Sequence, residues 1–201
     1  MVRTVDPVKH EAKRLRILEA AAGCFARKGF ESTTTAQLCA AAGISSGSLF
    51  HYFPSKRSIF LGIFQQDGRE TAERLTIALG SDDSWGAVLA LVDGIVSPLA
   101  EPELGGLALE VAAQASRDPE LAELLVRNDR QLHEGLAVLL ERAAAKGQID
   151  GEIPARTAAV WIATLADSMF SRAGQEPGFD LVAENRILRL LLTRFLRAEP
   201  R

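Results

Sequence analysis

The pentapeptide Gly43-Ile44-Ser45-Ser46-Gly47 matches G-x-S-x-G, the pattern of the nucleophile elbow in many serine hydrolases. In an elbow, a strand enters a strained turn that lifts the serine above a sheet, and a histidine takes the proton of the serine. The histidines are His10, His51 and His133, and none follows an acidic residue in the order of a triad. The preceding segment, AQLCAAA at 36–42, has a helical pattern instead of a strand pattern. We therefore expect that Ser45 is not a nucleophile.

The same segment can form a tight turn between two helices. Thr34, with a glutamine three residues later, is typical of a capping box that begins a short helix. Gly43 suits the turn, and Ser45 or Ser46 can cap a second helix that we expect to end near Phe53. Helix, glycine-containing turn and helix are the parts of a helix-turn-helix, whose second helix presents its N-terminal residues to the DNA major groove.

The predicted second helix carries side chains that suit DNA. Gly47 permits close approach of the backbone, and Ser48 can donate to and accept from a base edge. His51 and Tyr52 can donate to phosphate oxygens, and Lys56 follows just beyond the helix. Two alternatives stay open: Tyr52 can be a structural residue, and His51 can be merely solvated.

Charge is distributed unevenly along the 201 residues. Residues 1–60 hold nine Lys or Arg against four Asp or Glu, whereas the remainder holds 14 against 22. A basic N-terminal region, with Arg3 among its cations, followed by an acidic remainder indicates that one end meets a polyanion, although a solvated basic helix gives the same counts.

Composition also suggests a compartment. The two cysteines, Cys24 and Cys39, lack the spacing of a disulfide framework or a zinc site. The first residues have no apolar signal region, and no apolar run approaches the roughly 18 residues of a membrane span. We expect a cytoplasmic protein without a membrane segment.

Helical periodicity predicts an all-α fold with about nine helices. An N-terminal three-helix head at residues 1–54 contains the helix-turn-helix and begins with a helix at about 8–28. A larger C-terminal helical domain at 55–201, called the body below, is predicted to bind a ligand and to dimerise; its residues 55–79 form a connecting helix. The other predicted body helices lie at about 84–98, 107–117, 119–146, 155–173 and 179–198, with a break rich in Pro and Gly at 101–106.

Residues 34–60, TTAQLCAAAGISSGSLFHYFPSKRSIF, resemble the DNA-binding signature of the tetracycline-repressor (TetR) family of transcriptional regulators. The resemblance is specific over about residues 12–64. In the body it is weaker, where EVAAQASRDPELAELL at 110–125 is similar to the C-terminal domain of betaine-regulator-like members. The matching signature positions are Thr35, Leu38-Cys39, Ala42-Gly43-Ile44-Ser45, Gly47, Leu49-Phe50, Tyr52-Phe53, Lys56 and Ile59.

The resemblance implies a regulator, not an enzyme, that binds double-stranded DNA and needs no cofactor. Ser46 stands where members often have Lys, and Phe50 stands where they usually have Tyr. Both departures remove a phosphate contact, although the Phe50 ring can still contact a thymine methyl. The expected DNA-binding residues are Thr35, Ser45, Ser46, Gly47, Ser48, Phe50, His51, Tyr52 and Lys56.

Such a regulator is expected to be a homodimeric repressor that binds a palindromic operator, because two heads related by a two-fold axis read two half-sites. The helices at 155–173 and 179–198 carry apolar stripes that resemble the four-helix dimer bundle of the family. Either helix could instead belong to the core. The expected interface residues are Trp161, Leu165, Leu188, Leu191, Leu192 and Phe195.

A small-molecule effector is expected to bind between body helices and to release the DNA through the connecting helix. Asp167 is a carboxylate on an otherwise apolar helix, so it needs a partner for its charge. The partner could be a cationic ligand, or it could be an arginine or a helix N-terminus across a dimer interface. The expected ligand residues, each of which could instead be core, interface or surface, are Trp85, Gln114, Asn128, His133, Trp161, Asp167 and Phe170. Alternative functions are a hydrolase that uses Ser45, a ligand-binding protein whose head has lost DNA binding, and an activator.

Overall fold

The computed structural model describes residues 6–101, 104–176 and 178–197, and in these ranges the regular structure is entirely helical. The predicted all-α class is confirmed. No helix in this part of the chain is long and apolar enough to cross a bilayer. The helices are α1 (Pro7–Lys28), α2 (Thr35–Ala42), α3 (Ser46–Tyr52), α4 (Lys56–Leu79), α5 (Ser84–Val96) with a 3-10 turn (Ser97–Ala100), α6 (Gly105–Ala115), α7 (Pro119–Ala145), α8 (Ala155–Gln175) and α9 (Leu181–Phe195).

The helices begin where capping side chains occur. Thr34 and Gln37 form the predicted capping box: Gln37 N donates to Thr34 Oγ1 at 3.3 Å, and Thr34 N donates to Gln37 Oε1 at 3.0 Å. Asp6, Asp118 and Asp180 accept hydrogen bonds from backbone N–H groups in the first turns of α1, α7 and α9. Because these N–H groups have no partner inside the helix, the caps determine where each helix can start.

Two hydrophobic clusters form the interior. The first, called the head cluster, joins α1, α2 and α3 to the first half of α4, and it includes Leu121 and Leu124 of α7. The second, called the body cluster, contains the second half of α4, most of α5, and buried faces of α7, α8 and α9. Helices α4 and α7 therefore run from one cluster into the other and join the head to the body.

The first two residues of α4 add polar links at this junction. Lys56 Nζ donates to the carbonyl oxygens of Phe30 at 2.7 Å and of Glu31 at 3.1 Å. Arg57 donates twice to Asp118, at 2.7 and 2.8 Å, and once to Glu120 at 2.7 Å. The start of α4 is thus bonded both to the loop after α1 and to the start of α7.

Helix α6 begins inside the segment 101–106 that was predicted to be broken. A Cβ atom on Gly105 would lie 2.5 Å from Gly174 N, and one on Gly106 would lie 2.6 Å from Ala26 O. Such distances exclude any side chain at Gly105 or Gly106, so the two glycines let α6 touch the backbones of α8 and α1. The glycines serve close packing here and do not end a helix. Residues 102–103, also in that prediction, lie outside the described residues.

Candidate functional site

The turn between α2 and α3 has a left-handed backbone at Gly43, with φ of 63° and ψ of 39°. A Cβ there would meet no heavy atom within 4 Å, so the backbone conformation, not crowding, favours glycine. Ile44 N donates to Cys39 O at 3.0 Å, and the Ile44 side chain packs against the head cluster. These contacts hold α2 and α3 together as a helix-turn-helix.

Ser45 is the N-cap of α3, since its Oγ accepts a hydrogen bond from Ser48 N at 3.2 Å. Helix α2, not a strand, enters the turn. The pentapeptide therefore lacks the strand-to-helix geometry of a nucleophile elbow.

Most of α3 faces water. Ser46 and Gly47 are exposed and Ser48 is half-buried, whereas Leu49 is buried in the head cluster. Phe50 exposes 49% of its surface, a large fraction for an aromatic ring in a protein of this size. The outer face of α3 thus presents small polar groups, exposed backbone and one ring, which suits an approach to a groove of DNA.

A cluster of rings joins the end of α3 to the start of α1. The His10 ring of α1 stacks on the Tyr52 ring at 4.5 Å between centroids and meets the His51 ring edge-on at 6.1 Å. Lys13 Nζ lies 5.7 Å from the Tyr52 centroid. Sequence reasoning counted Lys13 among the N-terminal cations that could face DNA but missed His10, because no local pattern shows which turn of α1 packs beside α3.

Two predicted DNA-binding residues lie in more restricted positions than expected. Lys56 Nζ donates two of its three N–H groups to the carbonyl oxygens of Phe30 and Glu31. The same Nζ lies 4.4 Å from the centroid of the Phe30 ring. One N–H group is therefore left to donate to a phosphate. Thr35 is half-buried in the first turn of α2. Arg3, whose charge contributed to the basic N-terminal region, lies outside the described residues.

Two of the predicted interface residues require correction. Leu188 and Leu192 are only 5% and 0% exposed, because they point into the body cluster of their own chain. They have almost no surface left to offer a partner. The apolar residues of α9 cover two neighbouring faces of the helix, and periodicity cannot tell which face turns inward.

The outer faces of α8 and α9 carry a set of exposed large apolar side chains. Trp161 and Leu191 are 53% and 51% exposed, and Leu165 is half-buried against the body cluster. The expected interface residues did not include Val160, Ile187 or Leu190, because their exposure depends on how α8 and α9 are rotated in the fold. We call the following set the apolar band: Val160, Trp161, Ile187, Leu190, Leu191 and Phe195, which are between 37% and 53% exposed.

The residues predicted to bind a ligand do not meet at one place. Trp85 is 3% exposed in the body cluster, and Trp161 lies on the outer face of α8; neither lines the two hollows described here. Asn128 Nδ2 donates to Phe64 O at 2.9 Å and thereby links α7 to α4. Gln114 donates to Glu110 at 2.9 Å beside a hollow of about 430 Å³ at the junction of head and body. Phe170 is half-buried against the body cluster.

His133 lies elsewhere, in a groove of about 740 Å³ along α7 and α8. Asp129 and Arg130 line the same groove one turn earlier on α7, and Arg156 and Val160 line it from α8. This groove is the larger of the two hollows described above, and it combines charged groups with apolar walls.

Three carboxylates on different helices influence each other near the groove. Burial, followed by the charges of Asp129 and Asp67, raises the pKa of Asp167 to about 6. Burial also raises the pKa of Asp67 and that of Asp129, with the charge of His133 acting against the rise at Asp129. All three residues are nevertheless exposed in the protomer, so the carboxylates stand on the wall of an open cleft and not in a dry interior, which screens their mutual repulsion. Sequence reasoning missed Asp67, because it lies in the polar stretch QQDGRE at 65–70, which gives no local signal of a carboxylate cluster.

Two family models match successive parts of the chain. The family model for bacterial regulatory proteins of the tetR family matches residues 17–63, which contain the whole helix-turn-helix. A second model, for a tetracyclin repressor-like C-terminal domain, matches residues 80–177, from just before α5 to just after α8. The betaine-regulator-like type of the body stays a prediction.

Individual relatives span most of the chain. The transcriptional regulator UidR of Escherichia coli K12 is 31% identical over 153 residues, 74% of this chain and 76% of UidR. The transcriptional repressor AcnR of Corynebacterium efficiens is 29% identical over 159 residues, 79% of this chain and 80% of AcnR.

Solved structures share the fold. GusR of Salmonella enterica has 25% identity and a TM-score of 0.70, covering 98% of this chain and 100% of GusR. FadR of Bacillus subtilis, solved with stearoyl-CoA, has a TM-score of 0.71 at 20% identity, covering 89% of this chain and 96% of FadR. The matched families and the named relatives are regulators and not enzymes. The chain therefore belongs to the TetR family of DNA-binding transcriptional regulators.

Proposed function

We propose that this protein is a homodimeric, ligand-responsive repressor that binds a palindromic operator and leaves it when a small molecule binds the body. The observation that carries the proposal is the presence of two separate unpartnered surfaces on one protomer: the polar outer face of α3, and the apolar band of α8 and α9. The first suits DNA and the second suits another copy of the chain. The similarity to AcnR, which is named a transcriptional repressor, supports repression over activation.

In the proposed complex, α3 lies in the major groove. Ser48 reads a base edge, Phe50 contacts a thymine methyl, and Tyr52 and His51 donate to phosphates. Thr35, Ser45, Ser46 and Gly47 are the other proposed contacts, through hydroxyl or backbone N–H groups. Lys56 contributes its one remaining N–H and holds the loop after α1 in place.

Dimerisation is proposed through the apolar band. Exposed apolar patches of this kind on a monomer are typical of interaction sites, and a two-fold axis would pack α8 and α9 of two copies into a four-helix bundle. Trp161 is the proposed anchor, because tryptophan is enriched among the residues that dominate interface energies. Replacing Trp161 by Asp should convert the dimer into monomers in sedimentation experiments, whereas Val182→Asp, an exposed site outside the band, should leave the dimer intact.

We further propose a division of the chain into residues 1–54, which bind DNA, and 55–201, which dimerise and bind the effector. The groove along α7 and α8, with Asp129, His133 and the neighbouring Asp167, is the proposed effector site. FadR, which has a similar fold and was solved with stearoyl-CoA, supports a small-molecule ligand for this protein. Helix α4 connects the two parts and transmits the change.

The test is a selection of DNA from a random duplex library, followed by affinity measurements over a range of salt concentrations. We expect one palindromic sequence and an affinity that falls steeply with salt. Lys56→Ala should weaken binding to all sequences alike, whereas Ser48→Ala should also change base preference. Binding that ignores sequence, or no binding at low salt, would contradict the proposal. A compound screen for release from the selected duplex then tests the response to a ligand.

A further inference from the structure

The helix-turn-helix has an unusual charge for a DNA-binding unit. Residues 32–55, which contain α2, the turn, α3 and the cap of α4, include no Lys, Arg, Asp or Glu. His51 is the one side chain in this stretch that can become a cation by gaining a proton near neutral pH. Because phosphate neutralisation supplies much of DNA affinity, the charge state of this histidine matters more here than in a lysine-rich unit.

A second histidine stands beside it. His10 reaches the same surface from α1, stacked on Tyr52 at 4.5 Å and 6.1 Å from the His51 ring. Both imidazoles are at least partly open to water, with His51 exposed and His10 half-buried. The two histidines and Tyr52 thus form one patch on the face that we propose for DNA.

The charges around this patch are mainly positive or already paired. Lys13 approaches the Tyr52 ring, and Lys9 lies 3.7 Å from Asp6 on a highly exposed turn of α1. Glu11 interacts electrostatically with His10, but its two oxygens accept hydrogen bonds from Arg14 at 2.7 to 2.9 Å. Within the described part of the chain, neither histidine forms an ion pair with a carboxylate.

We infer that His10 and His51 together form a proton-dependent phosphate site, so that the protein takes up protons when it binds DNA. This inference rests on the proposed function. The two rings lie 6.1 Å apart with Lys13 nearby, so positive charge placed on them is concentrated at one point of the surface. A DNA phosphate at this point attracts the protonated form of each ring, and the Tyr52 ring stabilises a stacked cation. Operator affinity should therefore rise as the pH falls.

The experiment measures affinity for a fluorescent duplex recovered from the random-library selection, between pH 8 and pH 6 at constant sodium concentration. A histidine whose pKa rises by about one unit on binding tightens the complex about tenfold, so we expect at least about tenfold tightening from pH 8 to pH 6. Calorimetry in two buffers of different ionisation enthalpy should show net proton uptake at pH 7.

Variants assign the protons to these two rings. The double variant His10→Gln, His51→Gln should bind with little dependence on pH. His10→Lys with His51→Lys should also lose the pH dependence, but should bind tightly at pH 8, because the charge is permanent. His133→Gln, at the only other histidine, and Asp167→Asn lie at the proposed effector site and can change the affinity itself. Both variants should nevertheless keep the pH dependence of the parent, because neither residue belongs to the patch.

An affinity that does not change with pH, or a pH dependence that survives in the double glutamine variant, overturns the inference. So does a slope that disappears in Asp167→Asn alone, since the protons would then belong to the body. Weak binding of the lysine variant at pH 8 would show that the rings act by packing and not by charge. Absence of duplex binding at every pH and at low salt contradicts the proposed function itself, which distinguishes the two failures.

Discussion

The head cluster and the body cluster are built from different side chains. In the head cluster, the Phe60 ring meets the rings of Phe25, Phe30 and Phe64 at centroid distances of 5.1 to 5.2 Å and steep interplanar angles. The body cluster has no fully buried phenylalanine among the described residues and consists largely of Leu, Val and Ala. Edge-to-face rings prefer particular geometries, whereas aliphatic contacts are non-directional. We therefore expect the head to keep one side-chain packing, and the body to change its packing more easily.

The largest effect should come from the centre of the ring cluster. Phe60→Ala should cost about 3–5 kcal/mol in the free energy of unfolding, because it removes contacts to three rings and leaves a cavity. Urea unfolding measures this cost, and binding to the selected duplex should fail with it. Leu139→Ala, at a fully buried body position, should cost about 2–5 kcal/mol but should change DNA affinity much less. Equal loss of DNA binding in both variants would remove the distinction between the clusters.

Adjacent residues on α9 sharpen the contrast between the buried face and the exposed face of the body. Leu192→Ala should lower the free energy of unfolding by about 2–4 kcal/mol, because Leu192 is 0% exposed. Leu191→Ala, at 51% exposure, should change protomer stability by about 0.5 kcal/mol or less and should instead weaken the dimer. Chemical unfolding at several protein concentrations separates the two effects. Similar stability losses would mean that α9 is rotated differently.

A smaller effect is expected at the cap of α3. Ser45→Ala should cost about 1 kcal/mol, because the backbone N–H of Ser48 loses its acceptor. Ser46→Ala, one residue along and outside the cap, should change stability by less than about 0.5 kcal/mol. Thermal unfolding of both variants tests the assignment: equal effects would contradict it, and a larger effect of Ser46→Ala would assign the cap to Ser46.

The smallest effect concerns Asp167. Its pKa is raised from 3.8 to about 6 in the folded protein, so the folded state holds this proton more tightly than the unfolded state. The contribution of Asp167 to stability is therefore complete below about pH 4 and is lost as the pH rises through about 6. Asp167→Asn should remove this loss, and because the side chain touches water we expect a gain of about 0.5–1 kcal/mol at pH 7. Unfolding at pH 4 and pH 7 measures it.

Much of the fold could be predicted because its signals are local. Thr34 with Gln37, Gly43, Ser45 and Pro119 fix helix starts and turns through bonds that span at most a few residues. The helix-turn-helix was predicted from these signals, and the family model that matches residues 17–63 covers it.

The rest depends on contacts between residues distant in the sequence. Lys56 bonds carbonyl oxygens 25 and 26 residues earlier, and Arg57 bonds carboxylates 61 and 63 residues later. Leu188 and Leu192 were assigned to an interface because a helix with two apolar faces gives one continuous pattern. Asp67 and His10 were missed because their neighbours come from other helices.

The crossing of α6 with α8 has a mechanical consequence. Gly105 meets Gly174 through backbone atoms, and Gly106 meets the backbone of α1 at Ala26, so at these two points no side chain separates α6 from its neighbours. Where long side chains separate two helices, a small displacement of one helix can be taken up by changes of rotamer. Backbone-to-backbone contacts leave no such freedom. A tilt of α8 that follows ligand binding or dimer rearrangement must therefore move α6, and through α6 the end of α1, by a similar distance.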